Sequence, residues 1–342
     1  FPIPQEESTT RLLWDHLRST IRRRPYTLYS YESRGYMNRL KETLSQNTYS
    51  VLHMGSLDLS RYLPELSDVP VVCDHHNVES ELLRKRAESL SFPPANLYMR
   101  MQAKLLEEEE ERWCPKVALN LTVSERDRDS LALRIPDASY TVVPNGVDIE
   151  TFTPSFEGRT IPGSEIVFVG GCTWYPNRDA LEYFASDILP RIREDHSVRT
   201  RWVGRAEEDT RRHYSEVYGI EMTGYVDDIR PYVHNAKCYV VPMRVGGGTR
   251  LKVLDAWAMG KAVVSTSQGS EGLNARDGEN ILIRDTAQGF AEAVGRVLTN
   301  ASLRKSLGDA ARRTVEENYS WKVIGEELTE EYRRISKLAV AE

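Results

Sequence analysis

The chain has 342 residues, of which 40% are hydrophobic and 28% charged, as is typical of globular proteins. This length exceeds a single ordinary hydrophobic core and predicts two domains. The formal net charge is −6, from 45 basic and 51 acidic side chains, so the chain lacks the basic excess of nucleic-acid-binding proteins.

The cysteines are four in number and scattered: Cys73, Cys114, Cys172 and Cys238. None forms a C-x-x-C motif, and isolated cysteines of this kind are typical of reduced thiols. We therefore expect a cytoplasmic protein without disulfides or zinc ligands. No apolar run approaches the length of a membrane-spanning helix.

The first predicted element is a helix from Thr10 to Arg24, which ends before Pro25. One face of this helix is apolar and carries Leu12, Leu13, Leu17 and Ile21. We interpret the final Arg22-Arg23-Arg24 as a solvated helix end that the helix dipole favours. A weak peripheral contact of these arginines with anionic lipid, at the inner face of the membrane, is the alternative.

A helix near residues 36–46 leads into two apolar strands, at residues 50–55 and 70–74. Helices that alternate with apolar strands predict an α/β fold with a doubly wound parallel sheet, whose ligands bind at the carboxyl ends of the strands. His75 and His76 follow the second strand directly and are candidate site residues. A capping or packing role is the alternative, whereas adjacent histidines rarely converge on one metal ion.

The chain from Glu79 to about Cys114 is predicted to be mostly helical, with a break at Phe92-Pro93-Pro94. It carries five successive carboxylates, Glu107–Glu111. We interpret this run as a solvated helix face and not as a metal site.

A strand at residues 117–123, a helix at 125–133 and a strand at 140–143 complete this half. Ser124 is predicted to cap the helix. The sequence P-N-G-V-D at residues 144–148 then breaks the last strand sharply, because Asn-Gly favours a turn with positive φ. The pattern predicts a domain boundary near Asp148.

The second half repeats the alternation of strands and helices. A strand at residues 165–169 opens into Gly170 and Gly171, a glycine pair that can cradle a diphosphate. A strand at residues 201–204 ends at Arg205, which we place at the ligand edge of the sheet, with an ordinary surface arginine as the alternative.

The most informative stretch lies between two further apolar strands, at residues 238–242 and 261–266. It contains Gly246–Gly248 and Thr249, then a predicted helix with Arg250, Lys252 and Asp255. Glycines at a strand-to-helix turn let backbone N–H groups approach an anion, and the helix end and the two cations add positive charge. Asp255 could accept hydrogen bonds from sugar hydroxyls behind the phosphates. A lone Gly-rich turn would be equally consistent with a structural role.

The order of strand, three glycines, T-R-x-K, carboxylate, M-G and strand resembles the retaining GT-B glycosyltransferases of the glycosyltransferase 4 family. The segments D-H-H-N at residues 74–77, P-N-G-V-D at 144–148 and G-Y-V-D-D at 224–228 resemble the same family. The resemblance implies two Rossmann-like doubly wound domains that face a cleft, residues 1–148 and 149–319, with 320–342 packing back on the first. It also implies a UDP- or GDP-sugar donor, retention of configuration, and neither a metal nor another cofactor.

The resemblance also implies a role for each candidate residue. The donor diphosphate would contact Gly171, Gly247, Gly248, Thr249, Arg250, Lys252 and Arg205. Asp255 would hold the ribose, and Tyr225 and Val226 would contact the base. Glu271 would bind the donor sugar, with capping of the glycine-rich turn as the alternative. His76, or else His75, would hydrogen-bond the sugar or organise the acceptor.

The chain departs from the family pattern in two places. Gly247 stands where the family has the first Glu of its E-x7-E motif, and the opening strand with a G-G-x-x-R loop is missing before Ser50, so we expect a shortened first domain. A nucleotide-sugar-binding module without turnover therefore remains an alternative, as does a GT-B epimerase or phosphorylase. A dinucleotide-dependent dehydrogenase is not expected, because no G-x-G-x-x-G with a following acidic residue is present.

Overall fold

A computed structural model describes residues 8–66, 69–88, 90, 92–155, 166–246 and 250–341. The candidate residues Gly247, Gly248 and Thr249 lie outside this description. The chain forms two compact units, one of Phe1–Val143 with Glu326–Glu342 and one of Pro144–Gly325.

The first unit is an α/β domain with a four-stranded parallel sheet. Its strands are β1 (Leu52–Met54), β2 (Val71–His75), β3 (Leu119–Thr122) and β4 (Tyr140–Val142), paired in the order β1-β2-β3-β4. Its helices are α1 (Thr9–Arg22), α2 (Thr27–Ser30), α3 (Arg34–Gln46), α4 (Glu79–Glu88), α5 (Pro93–Trp113) and α6 (Glu125–Arg134), with 3-10 turns at Leu57–Glu65 and Cys114–Lys116. The predicted parallel α/β arrangement is confirmed, and so is the cap on α6, where the Ser124 side chain accepts a hydrogen bond from the Asp127 N–H.

The second unit contains a larger parallel sheet. Its strands are β5 (Ile166–Val169), β6 (Thr200–Val203), β7 (Ile220–Met222), β8 (Cys238–Val241), β9 (Val263–Ser265) and β10 (Leu282–Ile283). Its helices are α7 (Tyr175–Tyr183), α8 (Leu189–Asp195), α9 (Glu208–Tyr218), α10 (Arg230–Val233), α11 (Leu251–Ala258), α12 (Ala287–Thr299) and α13 (Ala301–Asn318), with a π-helical turn at Phe184–Ile188 and a 3-10 turn at Gln268–Ser270. The order β10-β9-β8-β5-β6-β7 is that of a Rossmann sheet, which reverses direction between β5 and β8.

The core of the second unit explains why these short strands hold together. Phe168 of β5 stacks on Trp202 of β6 with ring centroids 3.7 Å apart, and Trp257 of α11 is fully buried on the same sheet. The central strands β5 and β8 are buried on both faces, so they are near-continuous apolar runs without alternation.

A last helix, α14 (Trp321–Ala341), begins in the second unit and continues into the first. At its start, the Val147 N–H donates to the Tyr319 carbonyl over 2.8 Å, and a Cβ on Gly146 would lie 2.7 Å from the Trp321 ring. The P-N-G-V-D segment therefore needs glycine where α14 begins. Further along, Ile335 packs in the first unit against Val72, Leu119 and Leu121.

Helix α1 presents most of its apolar face to solvent. Helix α1 turns Leu13, Leu17 and Ile21 outward and buries Asp15 and Ser19. Its apolar face therefore does not pack on the core.

The interpretation of the acidic run on α5 as a solvated face is wrong, since Glu109 and Glu110 are buried. Arg24 and the Trp113 indole N–H pair with Glu109, while Arg134 pairs with Glu110. Buried carboxylates are tolerated because these donors, remote from them in sequence or one turn away, satisfy them.

Candidate functional site

The carboxyl ends of β5 and β8 meet at the point where the strand order reverses. In an open α/β sheet a ligand crevice forms at this position. The loop after β5 carries Gly170 and Gly171, and the chain after β8 carries Gly246, followed by α11. The sequence thus places both of its glycine-rich candidates at one edge of one sheet.

The loops that follow β5 and β6 approach each other closely at their backbones. Gly204 has a φ of +144°, and a Cβ there would lie 2.6 Å from the carbonyl carbon of Gly170. The Cys172 N–H donates to the Arg205 carbonyl over 2.7 Å, and a Cβ on Gly171 would come within 3.3 Å of that same oxygen. The loops after β5 and β6 are therefore locked together, which fixes Gly171 beside Arg205.

Replacing Gly204 by Ala is expected to lower the free energy of unfolding by about 2 kcal/mol, because the φ is forbidden to alanine and the new methyl group meets backbone. Gly278→Ala is the matched control. Gly278 also has a positive φ, of +80°, but a Cβ there has no heavy atom within 4 Å, so about 1 kcal/mol is expected. Urea unfolding measures both, and equal losses would contradict the close approach.

Lys252 supplies the cation of the crevice. Its Nζ donates to Asn177 Oδ1 and lies 4.5 Å from the Phe168 ring and 5.9 Å from the Trp174 ring. Burial, together with the nearby charge of Arg250, lowers the pKa of Lys252 to about 7. Because Lys252 has lost much of its hydration, an anion bound next to it would stabilise the charged ammonium form.

Arg250 has a different setting from the one expected. It is only 3% exposed, its Nε donates to the Gln268 carbonyl over 2.9 Å, and its Nη2 lies 3.4 Å from Glu271 Oε2. Glu271 also accepts a hydrogen bond from the Gln268 amide. Arg250 and Glu271 are thus partners of each other, and their roles toward phosphate and sugar stay predictions.

Asp255 lies one turn after Lys252 on α11. Asp255 lies near the fully buried Tyr239, and burial raises the pKa of Asp255 to about 6. A carboxyl group with little water around it favours hydrogen bonds from hydroxyl donors. This setting fits the ribose contact that the resemblance implies.

The far side of the same edge carries an exposed aromatic ring. Tyr225, after β7, is 67% exposed, and the Arg205 guanidinium lies 5.5 Å from its ring centroid. Val226 is partly buried against the core of the unit. Arg205 therefore lies over the Tyr225 ring, and the exposed part of that ring can stack on a flat base.

The two histidines of the first unit are not equivalent. His75 Nε2 lies 2.9 Å from Asn120 Oδ1 in the interior, and burial lowers the pKa of His75. His76 has a side chain that is 62% exposed, with Nδ1 3.7 Å from Asp74 Oδ2. The geometry favours His76 over His75 as the residue that a ligand can reach.

A pocket of mixed polarity adjoins these histidines. Its lining includes Ser56, Asp58, Asn77 and Glu79. Burial raises the pKa of both Asp58 and Glu79. Within the residues that the structure describes, no group of three or more His, Cys, Asp or Glu side chains is arranged to hold a metal ion.

Sequence reasoning missed the neighbours that define Lys252. Asn177, Phe168 and Trp174 belong to the β5 strand, loop and helix, some 75 residues earlier in the chain. The only sequence signal was the T-W-Y-P-N loop itself, in which a Pro near the helix start predicts the helix but not what its side chains touch.

The two parallel sheets with their flanking helices define a GT-B glycosyltransferase fold. Residues 4–151 match the family model described as "Glycosyltransferase Family 4", and residues 163–300 match "Glycosyl transferases group 1". Domains of glycosyltransferase families therefore follow one another along the chain.

Over 107 residues the chain is 31% identical to the lipopolysaccharide core biosynthesis glycosyltransferase LpsE of Rhizobium meliloti, and the match covers 31% of each protein. Matches to three curated relatives span between 30% and 43% of the lengths of those proteins. The similarity to these three relatives therefore extends over less than half of each of them.

Solved structures support the fold over most of the chain. Sucrose-phosphate synthase from Thermosynechococcus elongatus superimposes with a TM-score of 0.67 at 16% identity, covering 88% of this chain and 77% of that one. Anabaena HepE, in complex with UDP-glucose, gives a TM-score of 0.62 at 13% identity, covering 87% and 82%. Among the described helices, none combines the length and the apolar character needed to cross a membrane.

Proposed function

We propose that this chain is a glycosyltransferase that moves a sugar, with retention of anomeric configuration, from a UDP- or GDP-sugar to a glycan, a lipid-linked glycan or a small acceptor. The two glycosyltransferase family matches and the Rossmann order of the second sheet support this proposal. The HepE structure supports the donor class, because that protein of the same fold holds UDP-glucose. A cytoplasmic location is part of the proposal and is consistent with four unpaired buried cysteines.

The observation that carries the proposal is the Lys252 ammonium at the crossover of β5 and β8. It is desolvated, faces a glycine-rich loop and lies on the first turn of α11, where a diphosphate would meet both a formal charge and backbone N–H groups. Arg205, exposed on the adjacent loop, adds a second cation. These two cations can offset the negative charge of the departing diphosphate without a metal ion.

In the proposed reaction, the acceptor hydroxyl oxygen forms a bond to the anomeric carbon as the bond from that carbon to the β-phosphate oxygen breaks. Both events occur on the same face of the sugar. The acceptor proton passes to the departing phosphate oxygen, so no carboxylate pair of the glycosidase kind is needed. Lys252 stabilises the charge that develops on the diphosphate. Transfer should therefore persist in EDTA and give a product with the anomeric configuration of the donor.

Nucleotide binding as a function of pH tests the site directly. With a pKa of about 7 in the free protein, Lys252 is half-protonated near neutral pH. A bound diphosphate favours the protonated form and raises its pKa, so binding takes up a proton and affinity falls as pH rises above 7. About a tenfold loss of UDP or GDP affinity per pH unit is expected between pH 7.5 and the pKa of the bound state. Calorimetry in buffers of different ionisation heat would detect the proton, and affinity independent of pH above 7 would refute the site.

A second candidate function, binding of a nucleotide sugar without turnover, is favoured by one observation. Arg250, which the resemblance assigns to the diphosphate, is already paired with Glu271. Incubation with labelled donor and mixed acceptors separates the candidates. Binding without any transfer or hydrolysis product would favour the module.

We propose His76 as the residue of the first unit that takes part in transfer. His76→Ala is expected to lower kcat/KM about tenfold, through loss of one hydrogen bond to the reacting sugar or acceptor, with UDP affinity unchanged. His53→Ala is the control, since His53 Nε2 lies 3.8 Å from the same Asp74 carboxylate. Equal effects of the two substitutions would indicate a general disturbance of the Asp74 surroundings.

A further inference from the structure

Helix α1 presents an apolar stripe to solvent. Leu13, Trp14, Leu17 and Ile21 are between 51% and 69% exposed. Their spacing of three and four residues puts them on one face of a helix of 14 residues, about 21 Å long. Large apolar side chains exposed in such a row mark a surface that another phase or molecule covers.

The opposite face holds α1 to the first unit by polar contacts. Asp15 is buried and paired with Arg11, with Nε and Oδ2 2.8 Å apart. Ser19 is also buried, donates to the Arg24 carbonyl and accepts a hydrogen bond from Gln102 Nε2 over 2.8 Å. The helix is therefore anchored through its polar side, and its apolar side plays no part in the core that the structure describes.

The charges at the end of the helix identify what covers this stripe. Arg22 and Arg23 are exposed beside Ile21, whereas Arg24 turns inward to Glu109. An apolar stripe with an aromatic residue and flanking arginines matches a bilayer surface with anionic headgroups.

We propose that α1 docks this protein on an anionic membrane surface. The apolar stripe enters the boundary between headgroups and acyl chains, Trp14 lies at the level of the headgroups, and Arg22 and Arg23 contact anionic lipid. The arginines alone would give a weak contact that salt screens, and the apolar stripe makes the binding stable. Docking does not depend on the proposed transferase activity.

Co-sedimentation of the full chain with vesicles tests the proposal. We expect binding to phosphatidylcholine vesicles that contain 30% phosphatidylglycerol and much weaker binding to pure phosphatidylcholine. Leu17→Glu with Ile21→Glu should reduce binding by at least about tenfold. Arg22→Gln with Arg23→Gln should reduce binding to the anionic vesicles by about 30-fold and leave binding to pure phosphatidylcholine vesicles unchanged.

The matched control is Leu133→Glu. Leu133 is an equally large apolar side chain, 86% exposed on α6 of the same unit, and its replacement should leave vesicle binding unchanged. Each variant is checked for folding by circular dichroism and for UDP binding, which the proposal leaves untouched. Two results would overturn it: vesicle binding that α1 substitutions do not alter, or a dimer in sedimentation velocity that Leu17→Glu dissociates while no vesicles bind.

Discussion

Replacing Lys252 by Met is expected to lower kcat/KM for sugar transfer by about 10²–10³, or roughly 3–4 kcal/mol of transition-state stabilisation. Methionine keeps the unbranched apolar stem against Phe168 and Trp174 but removes the charge that would face the diphosphate. The charge on the leaving group grows as the sugar departs, so the loss should appear in kcat as well as in donor affinity. Donor hydrolysis or transfer, followed by release of UDP or GDP, measures it.

Lys237→Met is the control for this prediction. Lys237 is exposed between α10 and β8, and its replacement should leave kinetics within experimental error of the parent chain. Removal of a partly desolvated ammonium should also raise the stability of the ligand-free protein slightly, since the cost of its burial disappears. Unchanged kinetics of the Lys252→Met chain would sink the diphosphate site, whatever its stability.

The periodicity of apolar residues was sufficient to predict most of the fold. The runs that became β5 and β8 are continuous and apolar because both faces of these strands are covered. The two strands that escaped, β7 and β10, are two to three residues long and lie at the two edges of their sheet, where one neighbour is enough.

The helices α12 and α13 follow each other directly in the chain. Asn300 ends α12 and caps α13, with its side chain accepting a hydrogen bond from the Leu303 N–H. Asparagine is a good N-cap, but its effect inside an apolar pattern depends on whether the two halves must turn to pack. That depends on the sheet beneath and cannot be predicted locally.

The position of the candidate site could be predicted from the sequence, but the pairing of its charged side chains could not. Glycine-rich turns after apolar strands indicated the carboxyl edge of the sheet, and β5 and β8 do bring Gly171 and Lys252 to it. Which of two neighbouring cations faces inward was not predictable. Arg250 pairs with Glu271, which is 21 residues further along the chain, and that contact exists only once β9 lies beside β8.

The same limit applies to charge runs on helices. Five successive glutamates on α5 favour a solvated face, since buried carboxylates are costly without partners. A helix nevertheless turns two of any five successive residues toward the structure it covers, and partners can come from distant segments. Arg24 and Arg134 come from such segments, and this makes the burial of Glu109 and Glu110 tolerable.

Replacing Glu110 by Ala is therefore expected to lower the free energy of unfolding by about 3–5 kcal/mol, the usual cost of breaking a buried ion pair. The Glu110 carboxylate lies 2.6 Å from Arg134 Nη2 and accepts hydrogen bonds from the Ser80 hydroxyl over 2.7 Å and the Ser80 N–H over 3.2 Å. Alanine would leave the guanidinium and both Ser80 donors without this acceptor. Urea unfolding followed by circular dichroism measures the loss.

Glu111→Ala provides the control, because Glu111 is the next residue of the same helix and is exposed, so a change within about 0.5 kcal/mol is expected. A Glu110→Met, Arg134→Met double variant should recover most of the stability, since apolar side chains of similar volume remove both charges together. If Glu110→Ala and Glu111→Ala were equally mild, the solvated-face interpretation of the acidic run would be right and the buried pair wrong. Recovery in the double variant but not in Glu110→Met alone, which fills position 110 and leaves Arg134 without this partner, would identify the charge of Arg134, and not a cavity at position 110, as the source of the loss.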